Sequence, residues 1–431
     1  MTTERLAGPV ENVLIASHLG FAGGTQSVVG GELDRPVPER VVREGLREVC
    51  RLHPLLRARL AGATPEWRFV FDRSFDDVEV TVEERGARTI EELLAAENDR
   101  YLDLTAGPLW RALVVTDGGD VVAVVVTFAH AIVDGISVLA FVRHLVDAIN
   151  GRTATRAPLP VREPMEHLVP SRSVAGEGVV LGEPAGEWAF DETVDLQQRR
   201  TVILVDYLDA AELTELRARC RSAQVKMDAL FVAVVQQALL ETIPEALLVP
   251  ALCAFDVRNA LEPVVSAEEI GVYMKDFPVF DPLWATDELT LWQRAVSVSA
   301  QLSQRRAEGF SGLTQYPVAQ LCAEIQWVAA HPSTSFWHSF SVSNMGRQSF
   351  GAPGGGVRFR SVHLNSTDRI GSVGIQVVFH EIDGALCVAL SYADPLISAR
   401  RISVVREDII RILRAEAHGY SAELAATKGT E

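Results

Sequence analysis

The eight residues FAHAIVDG (128–135) separate an apolar run from an amphipathic segment. The apolar run, Val121 to Phe128, is too short to cross a bilayer and is typical of a buried β-strand. Residues 136–149 repeat apolar side chains at helical spacing. We therefore predict that His130 lies where a rigid strand ends and a loop begins, at the edge of a sheet and facing a cleft.

An imidazole in that position suits proton transfer. An unperturbed histidine has a pKa of about 6.5, so its neutral ring can accept a proton near neutral pH. Asp134, four residues on, is placed to turn back toward the loop and hold it against an opposite charge. Gly135 removes a side chain where the backbone turns and where a substrate must pass. The pattern alone also fits a histidine with only a structural role.

Helix and strand signals alternate on both sides of this segment. Thr89 and Glu92 form a capping-box pattern at the start of one helix. The other predicted strands are 25–33, 67–71, 78–82, 113–116, 201–207, 251–255, 339–342, 374–380 and 386–392, and the other predicted helices are 39–52, 210–223, 227–240, 289–306 and 402–417.

The periodic pattern weakens after Gly151, where prolines and glycines are frequent. We predict a first half at residues 1–170, a linker at 171–200 and a second half at 201–431. Each half mixes helices and strands in a similar order, so the expected fold class is α/β with mixed sheets.

Composition narrows the function classes. The 431 residues are 48% apolar and 23% charged, with a formal net charge of −17. So acidic a chain is a poor partner for nucleic acid or an anionic membrane. The five cysteines are odd in number, and none has metal-ligand spacing. With no signal-peptide pattern at the start, we expect a cytoplasmic protein without disulfides or a membrane span.

The segment around His130 resembles the active-site motif of the condensation-domain and chloramphenicol acetyltransferase superfamily. That motif usually contains two adjacent histidines followed by three residues, Asp and Gly. Here the second histidine is His130, followed by Asp134 and Gly135, and Ala129 replaces the first. In the family the second histidine is assigned to catalysis.

Further segments resemble the polyketide-associated acyltransferases of the phthiocerol dimycocerosyl transferase type. They occur in the family's order and span most of the chain. They are HPLLRA (53–58), DL (103–104) with GPLWR (107–111), FDVRN (255–259) and SVSNMG (341–346).

The resemblance implies roles for individual residues. His130 would be the general base, deprotonating a hydroxyl or amine as it attacks a thioester carbonyl. Arg258 would pair with Asp134 in a structural role, and Gly135 would keep the channel open. Ser343 and Asn344 are candidate oxyanion or substrate contacts, although a turn after a strand explains them equally well.

The resemblance also implies two acetyltransferase-like halves forming a pseudo-dimer, with an active-site tunnel between them. It implies no bound metal or cofactor. The co-substrate would be an acyl-CoA or an acyl or peptidyl carrier protein, the acceptor a small molecule of secondary metabolism, and the enzyme a monomer.

Three interpretations remain open at this stage. The first is an acyltransferase acting on a hydroxyl or amine. The second is a free-standing condensation enzyme that forms an amide or ester between carrier-bound substrates, although Ala129 favours the first. The third is a non-catalytic scaffold with the same fold. A Ser–His–Asp hydrolase is disfavoured, because no Gly-x-Ser-x-Gly sequence follows a strand.

Overall fold

The computed structural model describes residues 3–153, 155–170, 187–279, 289–307, 318–351, 355–366 and 369–419. Below, the first half denotes described residues up to 170, and the second half those from 187 onward. Residues 171–186 of the predicted linker lie outside the described part of the chain.

The first half alternates strands with helices. Its strands are β1 (Glu4–Leu6), β2 (Gln26–Pro38), β3 (Arg59–Ala63), β4 (Glu66–Val70), β5 (Val80–Glu84), β6 (Trp110–Asp117) and β7 (Asp120–Ala129). Its helices are α1 (Pro9–Gly20), α2 (Glu39–Leu52), α3 (Ile90–Asp99) and α4 (Gly135–Ile149).

The second half is built in the same mixed manner. Its strands are β8 (Trp188–Ala189), β9 (Arg200–Leu208), β10 (Ala251–Asp256), β11 (Met274–Val279), β12 (Ser335–Phe336), β13 (His338–Gln348), β14 (His363–Ser366), β15 (Val373–Ile382) and β16 (Ala385–Asp394). Its helices are α5 (Ala210–Ser222), α6 (Met227–Thr242), α7 (Leu291–Ala307), α8 (Val318–Ala330) and α9 (Ala399–Ala417).

Two large mixed sheets carry the fold. The sheet of the first half has the order β14-β2-β7-β6-β5, and that of the second half has the order β11-β10-β13-β15-β16-β9. In the second sheet β13 lies parallel to both of its neighbours, whereas β16 is antiparallel to β15 and β9. This arrangement confirms the predicted α/β class with mixed sheets.

The two halves interlock through β14, which belongs to the second half but pairs with β2 of the first. The pairing runs from His363 opposite Gly30 to Ser366 opposite Ser27. Leu364 of β14 also packs into the apolar core of the first half. Because the second half contributes an edge strand to the sheet of the first half, the two halves share one packed interior.

Strand β7 occupies the middle of its sheet and is buried on both faces. Val124, Val126 and Phe128 pack into the core formed with α2 and α4, while Val125 packs on the opposite side near α3. A strand covered on both faces accounts for the continuous apolar run in the sequence. It also gives the residue at its end a rigid support.

Residues 187–200 pack against the second half. Trp188 is 1% exposed, and its ring centroid lies 4.6 Å from that of Phe336 in the core. The short strand that carries Trp188 also pairs with β12. Trp188 and Phe190 therefore pack into the second half, whereas most of residues 191–198 are exposed.

The five cysteines all lie within the described residues, and all are free and buried. Among the described helices, none is by itself long and apolar enough to cross a membrane; α5 and α6 pass that test only together, with a bend of 103° between them.

Candidate active site

A cavity of about 270 Å³ lies between the two halves, and His130 is part of its wall. The first half contributes residues of α1, β2, α4 and the turn before α4. The second half contributes residues of β10, β11, β13, β14 and β15. His130 therefore faces a cavity between the two halves, as expected from the sequence.

His130 begins a single 3-10 turn directly after β7. The three residues that follow it, Ala131 to Val133, are at most 2% exposed and pack into the first-half core. Those apolar side chains hold the turn, so the imidazole projects from a rigid backbone. The ring is partly accessible and lines the cavity, as proton transfer to a bound molecule requires.

The surroundings of His130 favour its neutral form. Burial lowers the pKa of the ring below its usual value, because the charged imidazolium is poorly solvated there. Backbone groups of His130 and Val133, too poorly aligned to form good hydrogen bonds, and the charge of Asp134 act weakly in the opposite direction. A neutral ring can accept a proton.

Asp134 does not form a hydrogen bond with His130; its partners lie in the second half and in its own helix. Oδ1 accepts from the Ser137 backbone N–H at 2.8 Å, which caps α4, and from Arg258 Nη2 at 2.9 Å. Oδ2 accepts from the Tyr273 backbone N–H at 2.8 Å. The carboxylate thus joins the start of α4 to two segments of the second half.

Ser137 completes this network, and the sequence motifs did not point to it. Its hydroxyl donates to the Gly271 carbonyl at 2.7 Å and accepts from the Gly271 N–H and from Arg258. The Asp134 N–H donates to the same Gly271 carbonyl. The Ser137 hydroxyl therefore uses its one donor and both of its acceptor positions, although it is buried.

The charges in this network support one another. Burial alone would raise the pKa of Asp134, but the charge of Arg258 and the hydrogen bonds to the carboxylate lower it overall. Burial likewise opposes the charge of Arg258, but Asp134 and Asp256 outweigh it and raise its pKa. Both groups are therefore ionised at neutral pH, and the pair is a buried ion pair.

Gly135 lies against the end of Met345 on β13. A Cβ added at Gly135 would come within 2.5 Å of the Met345 Cε atom and 2.8 Å of its Sδ atom. Both residues line the cavity. A side chain at position 135 would therefore displace a flexible thioether and narrow the cavity beside His130.

The structure separates the two candidate oxyanion residues. Ser343 lines the cavity and is partly accessible. Asn344 also borders the cavity, but its Nδ2 donates to Asp228 Oδ1 at 2.6 Å and its Oδ1 accepts from the Gly346 N–H at 3.0 Å. The Asn344 side chain is thus engaged on both of its polar atoms, whereas Ser343 has a hydroxyl to offer.

Ala129 has a different setting from His130. It is 1% exposed, packs with the apolar core of the first half and is not among the residues that line the cavity. The replacement of a histidine by alanine at this position therefore removes no group from the cavity. Ala129 was predicted to favour an acyltransferase over a free-standing condensation enzyme, and its position in the core neither supports nor opposes that prediction.

Other histidines have structural settings. His18 is 1% exposed, and its Nε2 lies 2.8 Å from the Leu102 carbonyl oxygen; burial lowers its pKa to about 4. His53 Nε2 lies 2.8 Å from His144 Nδ1, and burial lowers the pKa of His53 to about 3. None of these three residues lines the cavity.

Sequence reasoning did not place several polar residues in the cavity wall, among them Asp276 on β11, Ser341 on β13 and Gln376 on β15. Strand patterns alone do not show which face of a strand borders a cavity. Within the described residues, no three His, Cys, Asp or Glu side chains are grouped to hold a metal ion.

Comparison with solved structures shows the fold. Trichothecene 15-O-acetyltransferase from Fusarium sporotrichioides matches with a TM-score of 0.69 and 12% identity, over 96% of this chain and 95% of that one. The condensation domain of the Monacolin K polyketide synthase matches with a TM-score of 0.65 and 12% identity, over 97% and 98%. Polyketide synthase associated protein 5 from Mycobacterium tuberculosis matches with a TM-score of 0.63 and 14% identity, over 96% and 98%.

These matches span nearly the full length of each chain. The fold is therefore that of condensation domains and the related two-halved acyltransferases, which confirms the predicted architecture. No protein-family model and no curated protein matches the sequence significantly.

Proposed function

We propose that this chain is an acyltransferase that moves an acyl group from a CoA or carrier-protein thioester to a hydroxyl or amine of a small molecule. The observation that carries the proposal is the placement of His130. Its neutral ring lines the cavity between the halves, at the end of a rigid strand. The fold shared with an acetyltransferase and a condensation domain supports the same reaction class.

In the proposed reaction, His130 takes the proton of the attacking hydroxyl or amine as the new bond to the thioester carbonyl forms. A positioned base of this kind typically contributes about 10²–10⁴-fold to the rate. The thioester is already activated, so no covalent acyl-enzyme is required. The proton on the imidazole then passes to the departing thiolate.

Ser343 is the proposed donor to the carbonyl oxygen as negative charge develops on it, because its hydroxyl borders the same cavity. Asn344, with both polar atoms engaged, is proposed to contact substrate only through its position at the cavity rim. Asp134 and Arg258 are positioning residues, since they hold the start of α4 and the turn that carries His130.

The remaining features of the proposal concern the reactants. No metal or redox cofactor is needed for acyl transfer from a thioester. The partners are a small-molecule acceptor and an acyl-CoA or an acyl or peptidyl carrier protein, and the enzyme is proposed to act as a cytoplasmic monomer.

The test is an assay of the purified full chain with a panel of alcohols and amines. Each acceptor is offered acetyl-, medium-chain and long-chain acyl groups, both as CoA esters and on a carrier protein. We expect ester or amide product with at least one donor type, and a large loss with His130→Ala. Product formation that survives His130→Ala within a few fold would refute the role of His130.

A further inference from the structure

The cavity contains one charge that the Asp134–Arg258 network does not neutralise. Arg258 donates to Asp134 at 2.9 Å and to Asp256 at 3.0 Å, so these cavity-lining charges balance one another in part. Asp276 lines the same cavity. No described residue donates a hydrogen bond to the Asp276 carboxylate or forms an ion pair with it.

The position of Asp276 follows from the strand pairing. Asp276 lies opposite Ala254 of β10, and Ala254 also lines the cavity. Met274, two residues before Asp276, points to the same face and is a lining residue too. Beyond β10 in the sheet, β13 contributes Ser341 and Ser343 to the same wall.

The carboxylate of Asp276 is accessible, yet protein surrounds it. Burial among the surrounding protein raises the pKa of Asp276 to about 6, while its side chain remains exposed to the cavity space. At pH 7.5 the group is mostly ionised. An accessible carboxylate without a counter-ion among the described residues, in a cavity wall, is a group to which a cationic ligand can bind, and groups with shifted pKa values cluster at functional sites.

A second polar group without a partner in the described part of the chain, the hydroxyl of Ser341, lies on the same cavity wall. Ser341 is 8% exposed, and its hydroxyl oxygen is buried without a hydrogen-bond partner among the described residues. A buried polar group without a partner needs an explanation in a native fold. The strand register places Ser341 two strands and two residues away from Asp276, so a single ammonium group does not bind both. An ammonium group at Asp276 has three N–H donors for the carboxylate, and a second polar group of the same substrate would pair with the Ser341 hydroxyl.

We propose that the wall formed by Asp276 and Ser341 is a subsite for a substrate that bears a protonated amine. Asp276 accepts hydrogen bonds from the ammonium group, the Ser341 hydroxyl pairs with a second polar group of the substrate, and the apolar lining holds its alkyl or aryl body. This inference rests on the proposed acyl transfer and names its substrate class.

The bound ammonium is a recognition group and not the nucleophile. A protonated nitrogen has no lone pair with which to attack a carbonyl. The reacting hydroxyl or neutral amine therefore belongs at His130, and the ammonium group lies elsewhere on the acyl donor or the acceptor. The subsite thereby selects substrates that carry a second, non-reacting amine.

The test compares two probes of equal chain length, hexylamine and 1-hexanol, by ligand-observed NMR titration of the full chain at pH 7.5. We expect the amine to bind the wild-type protein at least about tenfold more tightly, as is typical of hydrogen bonds to a charged group. Asp276→Asn should abolish that preference while leaving the alcohol affinity unchanged. Asp276→Ser provides a second variant if the first folds poorly.

The matched control is Glu84→Gln, which makes the same charge change on an exposed strand outside the cavity and should keep the amine preference. Equal binding of the two probes by the wild type, or an amine preference that persists in both Asp276 variants, overturns the proposal. His130→Ala should lose acyl transfer yet keep the amine preference. The subsite and the proposed reaction therefore fail independently.

Discussion

Arg258 and Asp134 form an ion pair between the two halves of the molecule, with Arg258 Nη2 2.9 Å from Asp134 Oδ1 and both side chains 2% exposed. The two residues are 124 positions apart in the chain. The pair lies next to the turn that carries His130. Its geometry therefore links the docking of the halves to the position of the candidate base.

Arg258→Met should destabilise the fold by about 3–5 kcal/mol, because it leaves the Asp134 carboxylate buried without its counter-ion. Urea denaturation monitored by tryptophan fluorescence measures the change. Asp256→Asn is the control, since Asp256 also binds Arg258 but its side chain is 35% exposed. We expect a clearly smaller loss there; equal losses in both variants would show that burial of the pair is not the cause.

His130→Ala should lower kcat/KM by about 10²–10⁴-fold with little change in the free energy of unfolding. The imidazole makes no well-aligned hydrogen bond through Nδ1, so the fold loses little when it is removed. His167→Ala is the control, because that side chain is 62% exposed and outside the cavity. A parallel loss of stability in His130→Ala would instead indicate a structural histidine.

The pH dependence of kcat/KM should follow the ionisation of His130. The neutral ring is the active form, and burial lowers its pKa, so the neutral form persists to lower pH than for an exposed histidine. We expect a plateau at neutral pH and a fall on the acid side with an apparent pKa below 6.5. An acid limb centred above 6.5 would contradict this environment.

Gly135→Ala should reduce activity by narrowing the cavity, since the new Cβ meets the Met345 side chain at 2.5–2.8 Å. The methionine end is flexible, so the backbone is expected to stay in place. Steady-state kinetics should show a larger effect for bulky acyl groups than for acetyl.

A second substitution separates this effect from a backbone distortion. Met345→Ala in the Gly135→Ala background removes the atoms that the new methyl group contacts. We expect the double variant to recover most of the activity toward bulky donors. No recovery would place the cause in the backbone of α4.

Asp276→Asn should stabilise the protein at pH 7.5. The folded pKa of Asp276, about 6, is higher than the usual unfolded value of about 3.9. The folded state therefore binds more protons between these values, and this group reduces stability as pH rises from about 4 to about 6. The Asp276→Asn variant lacks this loss of stability. The gain is reduced because the side chain is accessible to solvent, which screens its charge.

Thermal unfolding of both proteins between pH 4 and pH 8 checks this expectation. The difference in Tm between Asp276→Asn and wild type should be small near pH 4 and reach a plateau above pH 6. A variant that is less stable than wild type at every pH would mean that Asp276 has a structural partner.

Much of the local structure was predictable. The helix expected at 39–52 has those bounds, and Thr89 caps α3 together with Glu92 as the capping-box pattern indicated. The strands predicted at 113–116 and at Val121 to Phe128 are also present, within β6 and β7, and they pair with each other. These features depend on side-chain periodicity and on hydrogen bonds within one turn, and such information is contained in neighbouring residues.

Other elements left no usable local signal. Strand β14 covers only four residues, His363–Ser366, and exists because β2 of the other half pairs with it. Strand β11, which carries Asp276, was likewise not predicted, although it pairs along its length with β10. Short strands gain their stability from distant partners, so periodicity within them is weak evidence.

Some residues of the candidate site were likewise predictable from the sequence, and others were not. The end of an apolar strand indicated the position of His130. The pairing of Arg258 with Asp134 came from a family resemblance rather than from residue spacing. The resemblance pointed to Arg258 as the partner of Asp134, but not to Ser137 or to the backbone of Gly271 and Tyr273. It also gave no indication that Asn344 is engaged by Asp228.

The amino-acid sequence alone determined the helices and strands with strong periodicity and the placement of His130 at the end of a buried strand, because those depend on contacts within a few residues. Only the tertiary structure decided that Ser137 and the backbone of Gly271 and Tyr273 complete the Asp134–Arg258 network, and that Asp276 and Ser341 both line the cavity. The physical reason is that these neighbours are brought together by strand pairing and by the packing of two halves, which connect residues more than 60 positions apart.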